Sequence, residues 1–299
     1  MQPAPIVLFV YNRPEHTKKT LKALQQNKLA SKSDLYIYAD AQKHEGHNES
    51  VHAVRDYIQT IDGFKSVTII EREKNWGLAD SIVDGVTAVV NQYGRVIVLE
   101  DDIVTSPNFL QFMNEALELY KDEEHVMHIS GYFLPVDTTG LPETFFYNHT
   151  SCWGWATWDR AWSNYCNDAA ALLRGMKQQK RLREFDLDGA FRFSSTLRAN
   201  AAGRQKTWAV KWSASVFLER GYCLHPKQSF VQNIGTDGSG NHEGVTNSFQ
   251  HAALQTKVPE LSKLQLTENT LSRSLAAECL GKHRPTLLSR LRNVLKLNR

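Results

Sequence analysis

Arg95-Val96-Ile97-Val98-Leu99-Glu100-Asp101-Asp102 is the stretch on which the fold turns. Four consecutive apolar residues without polar alternation suit a strand buried on both faces of a parallel sheet, and the run stops abruptly in three acids. The same unit recurs on the N-terminal side. Ile6-Val7-Leu8-Phe9-Val10-Tyr11 is a second continuous run, ending at Asn12-Arg13-Pro14 and followed by a helical pattern with Leu21 and Leu24 on one face. Leu35-Tyr36-Ile37-Tyr38-Ala39 stops at Asp40 and precedes a helix over 51–61, while Val67-Thr68-Ile69-Ile70 precedes a helix over 79–93. Four strand-then-helix units in succession predict a doubly wound α/β half, because right-handed crossovers force parallel pairing.

Beyond residue 125 the alternation fades. Val126–Ser130 reads as a strand, 151–162 is crowded with tryptophan, and 168–202 is charged and helical. Tyr222–Pro226 and Phe230-Val231-Gln232 read as short strands before a glycine-rich loop, Gly235 to His242. No Pro/Gly/Ser linker separates the halves, so the second half is expected to continue the same sheet.

Composition excludes several classes. The chain has 299 residues, 41% hydrophobic and 22% charged, which is neither disordered nor collagen-like. Its four cysteines, at 152, 166, 223 and 279, form no Cys-x-x-Cys pair and signal neither a zinc site nor a disulfide scaffold. No apolar run approaches the roughly 20 residues of a spanning helix, and the first strand lacks a basic lead and a cleavage site, so a cytoplasmic protein is expected. The net charge of +3 belongs to the end of the chain: without the six basic residues of 282–299 it becomes −3. The body therefore carries no compositional argument for nucleic acid. Leu287, Leu288, Leu291, Val294 and Leu295 lie at helical spacing among the tail's basic residues. That pattern suits a basic amphipathic helix on an anionic membrane, peripheral to the inner membrane, or a helix docked on its own domain.

Ligands of open α/β sheets bind outside the carboxyl ends of strands, where Glu100-Asp101-Asp102 stands. Three packed acids repel one another and call for a compensating cation. A divalent ion such as Mg²⁺ or Mn²⁺, held by one or two carboxylates and by substrate phosphates, meets that need. The plain alternative is a solvated acidic loop leading to the helix after Pro107.

Taken in order, Val7 to Pro14, Asn75-Trp76-Gly77-Leu78, Val98 to Asp102, Trp153-Gly154-Trp155-Ala156-Thr157-Trp158 and Asn233-Ile234-Gly235 resemble bacterial glycosyltransferases of the GT-A fold, family 2-like, across residues 5 to 245. More distantly the set resembles the N-acetylglucosaminyltransferase I family. The resemblance implies a GT-A fold with a nucleotide-sugar-binding half over 1–125, an acceptor-binding half over 126–281 and the basic tail over 282–299. It implies that the acid triplet is a variant Asp-x-Asp motif. Asp102 would then be the metal ligand, with Glu100 and Asp101 on ribose and donor sugar. Arg13 would match the family's early arginine and Asp40 the aspartate that recognises uracil, making UDP the expected carrier. The acceptor would be a glycan or a lipid-linked hydroxyl.

Chemistry explains these assignments. Arg13 offers a fixed cationic fork to a phosphate, or pairs with Asp102 to hold the loop. Asp40 accepts from the uracil imide, or caps a turn. The Asn75 to Leu78 stretch stands before a helix, where free N–H groups face a ligand. Inversion at the anomeric carbon requires a base for the acceptor hydroxyl. Relatives commonly place an acid after tryptophan, but this chain reads Trp208-Ala209-Val210-Lys211-Trp212. Asp159, after the Trp-Gly-Trp run, and Asp237, in the glycine-rich loop, are the candidate bases. Trp153 and Trp155 are candidate acceptor platforms, since aromatic faces stack on sugar C–H faces, although tryptophans also serve as core. His242 is a candidate phosphate donor on a closing loop. Two other functions compete. A sugar-1-phosphate nucleotidyltransferase would need glycines after the first strand, which Asn12-Arg13-Pro14-Glu15 lacks. A non-catalytic carbohydrate-binding protein on the same fold would explain the absent base.

Overall fold

The computed structural model describes residues 2–238, 248–251 and 253–282. The basic tail beyond Lys282 and the loop residue His242 lie outside them. Strands β1 (Ile6–Val10), β2 (Asp34–Ala39), β3 (Ser66–Glu71) and β4 (Arg95–Glu100) alternate with helices α1 (Pro14–Gln25), α2 (Asn48–Ile58) and α3 (Leu78–Tyr93). They are joined in the order β3-β2-β1-β4, all parallel, with Ile6 opposite Leu35 and Ile97, and Phe9 opposite Glu100. All five residues of β1 are buried, as a strand covered on both faces requires. Its side chains divide by period two. Leu8 packs with Leu21, Leu24, Val54 and Phe112 beneath α1, α2 and α4 (Phe109–Leu119), while Val7 and Phe9 pack with Ile82, Val86 and Val98 beneath α3.

The second half continues this sheet in mixed fashion. β5 (Ile103–Thr105) leaves it, and β6 (Val126–Ser130), β7 (Thr144–Tyr147), β8 (Trp155–Trp158) and β9 (Tyr222–Pro226) complete eight strands in the order β3-β2-β1-β4-β8-β6-β9-β7. β8 runs antiparallel to β4, with Trp155 opposite Val98 and Trp158 opposite Arg95. A helical layer, α5 (Asp159–Trp162), α6 (Ala169–Gln178), α7 (Leu182–Phe185), α8 (Phe193–Ala201) and α9 (Ala209–Leu218), is inserted between β8 and β9 and has a small core of its own around Leu172, Met176, Phe185 and Phe217. β10 (Val231–Asn233) pairs with β5 as a separate two-stranded ribbon, and α10 (Thr270–Lys282) packs Ala276 beside Phe133 and Phe145. Among the described residues no helix is long and apolar enough to cross a membrane.

Strand order reverses at β1, which has β2 on one side and β4 on the other, so a crevice opens between the carboxyl ends of β1 and β4. The segments leaving those two ends are Asn12-Arg13-Pro14 and Asp101-Asp102.

Candidate active site

Arg13 stands immediately before α1, whose first residue is Pro14, so its backbone is fixed by strand on one side and helix on the other. Its guanidinium Nη2 donates to Asp102 Oδ2 at 2.9 Å and to Asp101 Oδ1. Asp101 and Asp102 are buried, at 5% and 8% exposure. Thr20 Oγ1, on the buried face of α1, donates to the Asp101 carbonyl at 2.9 Å and fixes the turn. Burial pushes the Asp101 carboxyl up to about 6 against the pull of Arg13, and burial beside Asp102 and Asp101 raises Glu100 as well. Burial works against the charge of Arg13, but the two aspartates raise it above its ordinary value. Asp102 Oδ1 is buried without a hydrogen-bond partner.

The ribbon of β5 and β10 lays the following loop across these acids. Ile234 N–H donates to the Asp102 carbonyl at 2.9 Å. A Cβ on Gly235 would stand 2.1 Å from Asp102 Oδ2 and 2.8 Å from Arg13 Nη1, so only glycine permits this approach. His16 Nε2, on α1, lies 3.2 Å from the Ile234 carbonyl and 3.2 Å from Asp237 Oδ2. His16 thereby ties Asp237 to the first turn of α1, three residues after Arg13. His16 and Thr20 carry no motif that marks them, and the one local signal is their spacing of four, which puts both on one face of α1.

Three expectations require correction. Asp40 has no free oxygen for a uracil imide. Its Oδ1 accepts from the backbone N–H groups of Ala41 (3.0 Å) and Trp76 (2.9 Å), and its Oδ2 from Gly77 N–H (2.8 Å) and Asn75 Nδ2 (3.0 Å). Four donors fill a carboxylate's acceptor sites, so Asp40 ties the 75–77 loop to the end of β2. Arg72 completes that tie by stacking 3.9 Å over the Trp76 ring. Asp159 is at the wrong edge of the sheet. Because β8 runs against β4, Asp159 lies beside Gly94, to whose carbonyl its N–H donates at 3.0 Å, and the length of β4, about 17 Å, separates that end from the acids. Trp155 is 0% exposed, stacked on His128 and Trp208 in the core beneath α9, and offers no face to an acceptor. The antiparallel course of β8 instead leaves half-buried Trp153 at the acidic end, edge-on to Tyr132 at 4.6 Å and near Phe249. Trp208 and Trp212 are likewise buried.

A hard divalent cation fits this donor set. The ligands are oxygens, the Asp102 Oδ1 is buried and unpaired, and the acids outnumber the single arginine. Among the described residues no cluster of three or more His, Cys, Asp or Glu side chains is arranged to chelate an ion by itself. Substrate phosphate would supply the remaining coordination.

Residues 6–171 match the model of "Glycosyl transferase family 2". No curated protein matches the chain. Among solved structures it is similar to the mannosyltransferase PcManGT from Pyrobaculum calidifontis, in complex with GDP-Man and Mn²⁺, at 13% identity over 74% of this chain and 70% of that one, with a TM-score of 0.44. It is also similar to TarS from S. aureus, at 13% identity over 49% of this chain and 25% of that one, with a TM-score of 0.30.

Proposed function

The chain belongs to glycosyl transferase family 2 and is a nucleotide-sugar glycosyltransferase with a GT-A sheet; from that premise we propose that it moves a sugar from UDP to a hydroxyl of a glycan or lipid-linked acceptor with the help of Mn²⁺ or Mg²⁺. The observation that carries the reading is the buried Asp102, with one oxygen on Arg13 and the other unpaired, at the sheet's switch point.

The donor would lie across the crevice between β1 and β4, with residues 1–125 on its nucleotide side and 126–281 on its acceptor side. Asp102 would hold the cation, with Asp101 and Glu100 directed to ribose and sugar. When bound, a divalent cation supplies charge neutralisation for the departing diphosphate. Arg13 binds the same diphosphate through its guanidinium fork, stabilising the negative charge that grows as the anomeric bond breaks. Asp237 takes the proton from the acceptor oxygen, and His16 holds that carboxylate in place at 3.2 Å. Trp153, with Tyr132 behind it, gives the acceptor sugar a rigid face. Since Asp40 is committed to the 75–77 loop, the uracil would be read by other groups at the end of β2. The basic tail would add an anionic membrane surface as a further partner.

A thermal-shift series with UDP, GDP and their sugars, with and without Mn²⁺, tests the reading, because a ligand bound to the native state raises the melting temperature. UDP with Mn²⁺ should give the largest shift. In Asp102→Ala the metal-dependent part should vanish, and its persistence in calorimetry would remove Asp102 from the metal site.

A further inference from the structure

We propose that Arg13 stands in for the divalent cation in the donor-free enzyme, so that the ion is bound tightly only when a diphosphate draws the guanidinium off the acids. The inference rests on the metal and diphosphate reading given above, and goes beyond it by making the two affinities conditional on each other through one residue.

The geometry points this way for three reasons. Arg13 Nη2 bridges both aspartates, touching Asp101 Oδ1 and lying 2.9 Å from Asp102 Oδ2, with its side chain only 18% exposed. A cation arriving alone therefore meets a fixed positive charge already on two of the three carboxylates. Second, escape for Arg13 is restricted: the Gly235 backbone closes against it so tightly that a Cβ there would lie 2.8 Å from Nη1. Third, Asp102 is only half used, since Oδ1 is buried and unpaired while Oδ2 is on Arg13. The site holds a ligand oxygen in reserve but not a free carboxylate.

A diphosphate changes the balance. A guanidinium prefers a bidentate phosphate partner, and once turned to it, Arg13 leaves Asp102 with both oxygens available. Asp101 and Asp102, the two acids that Arg13 holds, are then open to the incoming ion without competition. By linkage, the factor by which UDP raises the affinity for the ion is the factor by which the ion raises the affinity for UDP. Arg13 thus acts as a gate against futile loading of metal without donor.

The test is Mn²⁺ binding to the full chain, read from the electron paramagnetic resonance signal of free Mn²⁺, with and without UDP, for the native protein, Arg13→Met and Arg13→Lys. The native protein should bind Mn²⁺ weakly alone and at least about tenfold more tightly with UDP. Arg13→Met should bind Mn²⁺ alone about tenfold more tightly than the native protein, the scale on which a removed neighbouring charge acts inside a protein, and should lose most of the UDP enhancement. Arg13→Lys, which keeps the charge on a shorter stem and cannot turn a planar fork to the diphosphate, should fall between them, and circular dichroism checks that each variant is folded. Should Arg13→Met misfold, an intermediate Mn²⁺ affinity for Arg13→Lys alone still supports the proposal, and a native-like value rejects it. Native-like binding of Mn²⁺ alone by folded Arg13→Met, with UDP enhancement intact in the native protein, overturns the exchange while sparing the metal reading. Binding of UDP by the native protein with no Mn²⁺ bound at all overturns the metal reading and the exchange with it.

Discussion

Replacing Gly235 by alanine isolates the close packing of the loop on the acids from every other property of the site. The added Cβ would stand 2.1 Å from Asp102 Oδ2, where ordinary contact begins at 3.4 Å, so about 1.3 Å must be made up. The shortfall cannot be absorbed by a side-chain tip turning into solvent. Asp102 is buried, its Oδ2 is held by Arg13 at 2.9 Å, and its carbonyl is held by Ile234 N–H at 2.9 Å. Either the carboxylate turns off its position, which displaces the proposed metal ligand, or the 234–237 loop lifts, which displaces the proposed base Asp237, each by about 1 Å. A misplacement of that size costs about 100-fold in rate, or about 2.7 kcal/mol of transition-state stabilisation. Overpacking destabilises by about 1–3 kcal/mol, which in a chain of this size lowers the melting temperature by only a few degrees. The assay is slow hydrolysis of the donor to nucleoside diphosphate, followed by a coupled enzyme, which needs no knowledge of the acceptor. Gly203→Ala is the control, because Gly203 has φ +69° and nothing within 4 Å of its Cβ position; it should lose stability through backbone strain but not activity. Gly235→Ala with kcat/KM within about threefold of native would refute the argument that this glycine exists for the sake of Asp102.

Asp40→Asn should lower the melting temperature and loosen the 75–77 loop, because an amide can accept only half of the four hydrogen bonds now made, leaving donors unpaired at about 1–3 kcal/mol; unchanged stability would reopen Asp40 for ligand contact. Trp155→Ala should destabilise by about 3–5 kcal/mol, whereas Trp153→Ala should raise the KM for acceptor with a smaller loss of stability, as denaturant unfolding and initial rates will separate. Asp237→Asn should suppress transfer more than donor binding, while Asp159→Asn, at the far edge of the sheet, should leave both intact; equal losses in the two would refute the placement of the base. His149, buried and donating Nε2–H to the Phe185 carbonyl at 2.9 Å, is depressed by burial from 6.5 to about 4. Its neutral form belongs to the folded state, so its contribution is fully present above pH 6.5 and is lost as pH falls from there toward 4, by about 3 kcal/mol at the lower limit. Burial raises Asp101 and Glu100, which favours folding as pH falls through the same window, so the measurement is a difference: the melting temperature of the native protein should fall relative to that of His149→Gln between pH 7 and pH 5, and a difference independent of pH would contradict a buried neutral imidazole.

The parts of this molecule that were legible from sequence are those whose cause is local. Unbroken apolar runs made β1 and β4 recognisable as strands covered on both faces, and the charge that ends each run marked the crevice. What escaped was determined by pairing between distant segments. Asp159 follows Trp155 by four residues, which suggests nearness to whatever Trp153 faces, but an antiparallel strand carries its two ends to opposite edges of the sheet. Trp155 reads as a sugar platform until its register opposite Val98 turns it under α9. Asp40 follows its strand just as the triplet ends β4, yet the loop after β3 arrives with three donors and, with Ala41 N–H, consumes it.

Gly235 shows the same limit from the other side. Within Gly235-Thr236-Asp237-Gly238 a glycine reads as a hinge, a statement about backbone freedom that the local sequence can support. Its function in the fold is steric and lies across the crevice, where residues 13, 102 and 235 converge from three separate segments of the chain. A site assembled in this way has no linear signature beyond the identity of its charged members. The missing terms are the space between them and the order in which their charges are exchanged. The two terms meet at one position, because the glycine that lets the loop approach Asp102 also brings its backbone against Arg13, the residue on which the proposed exchange depends.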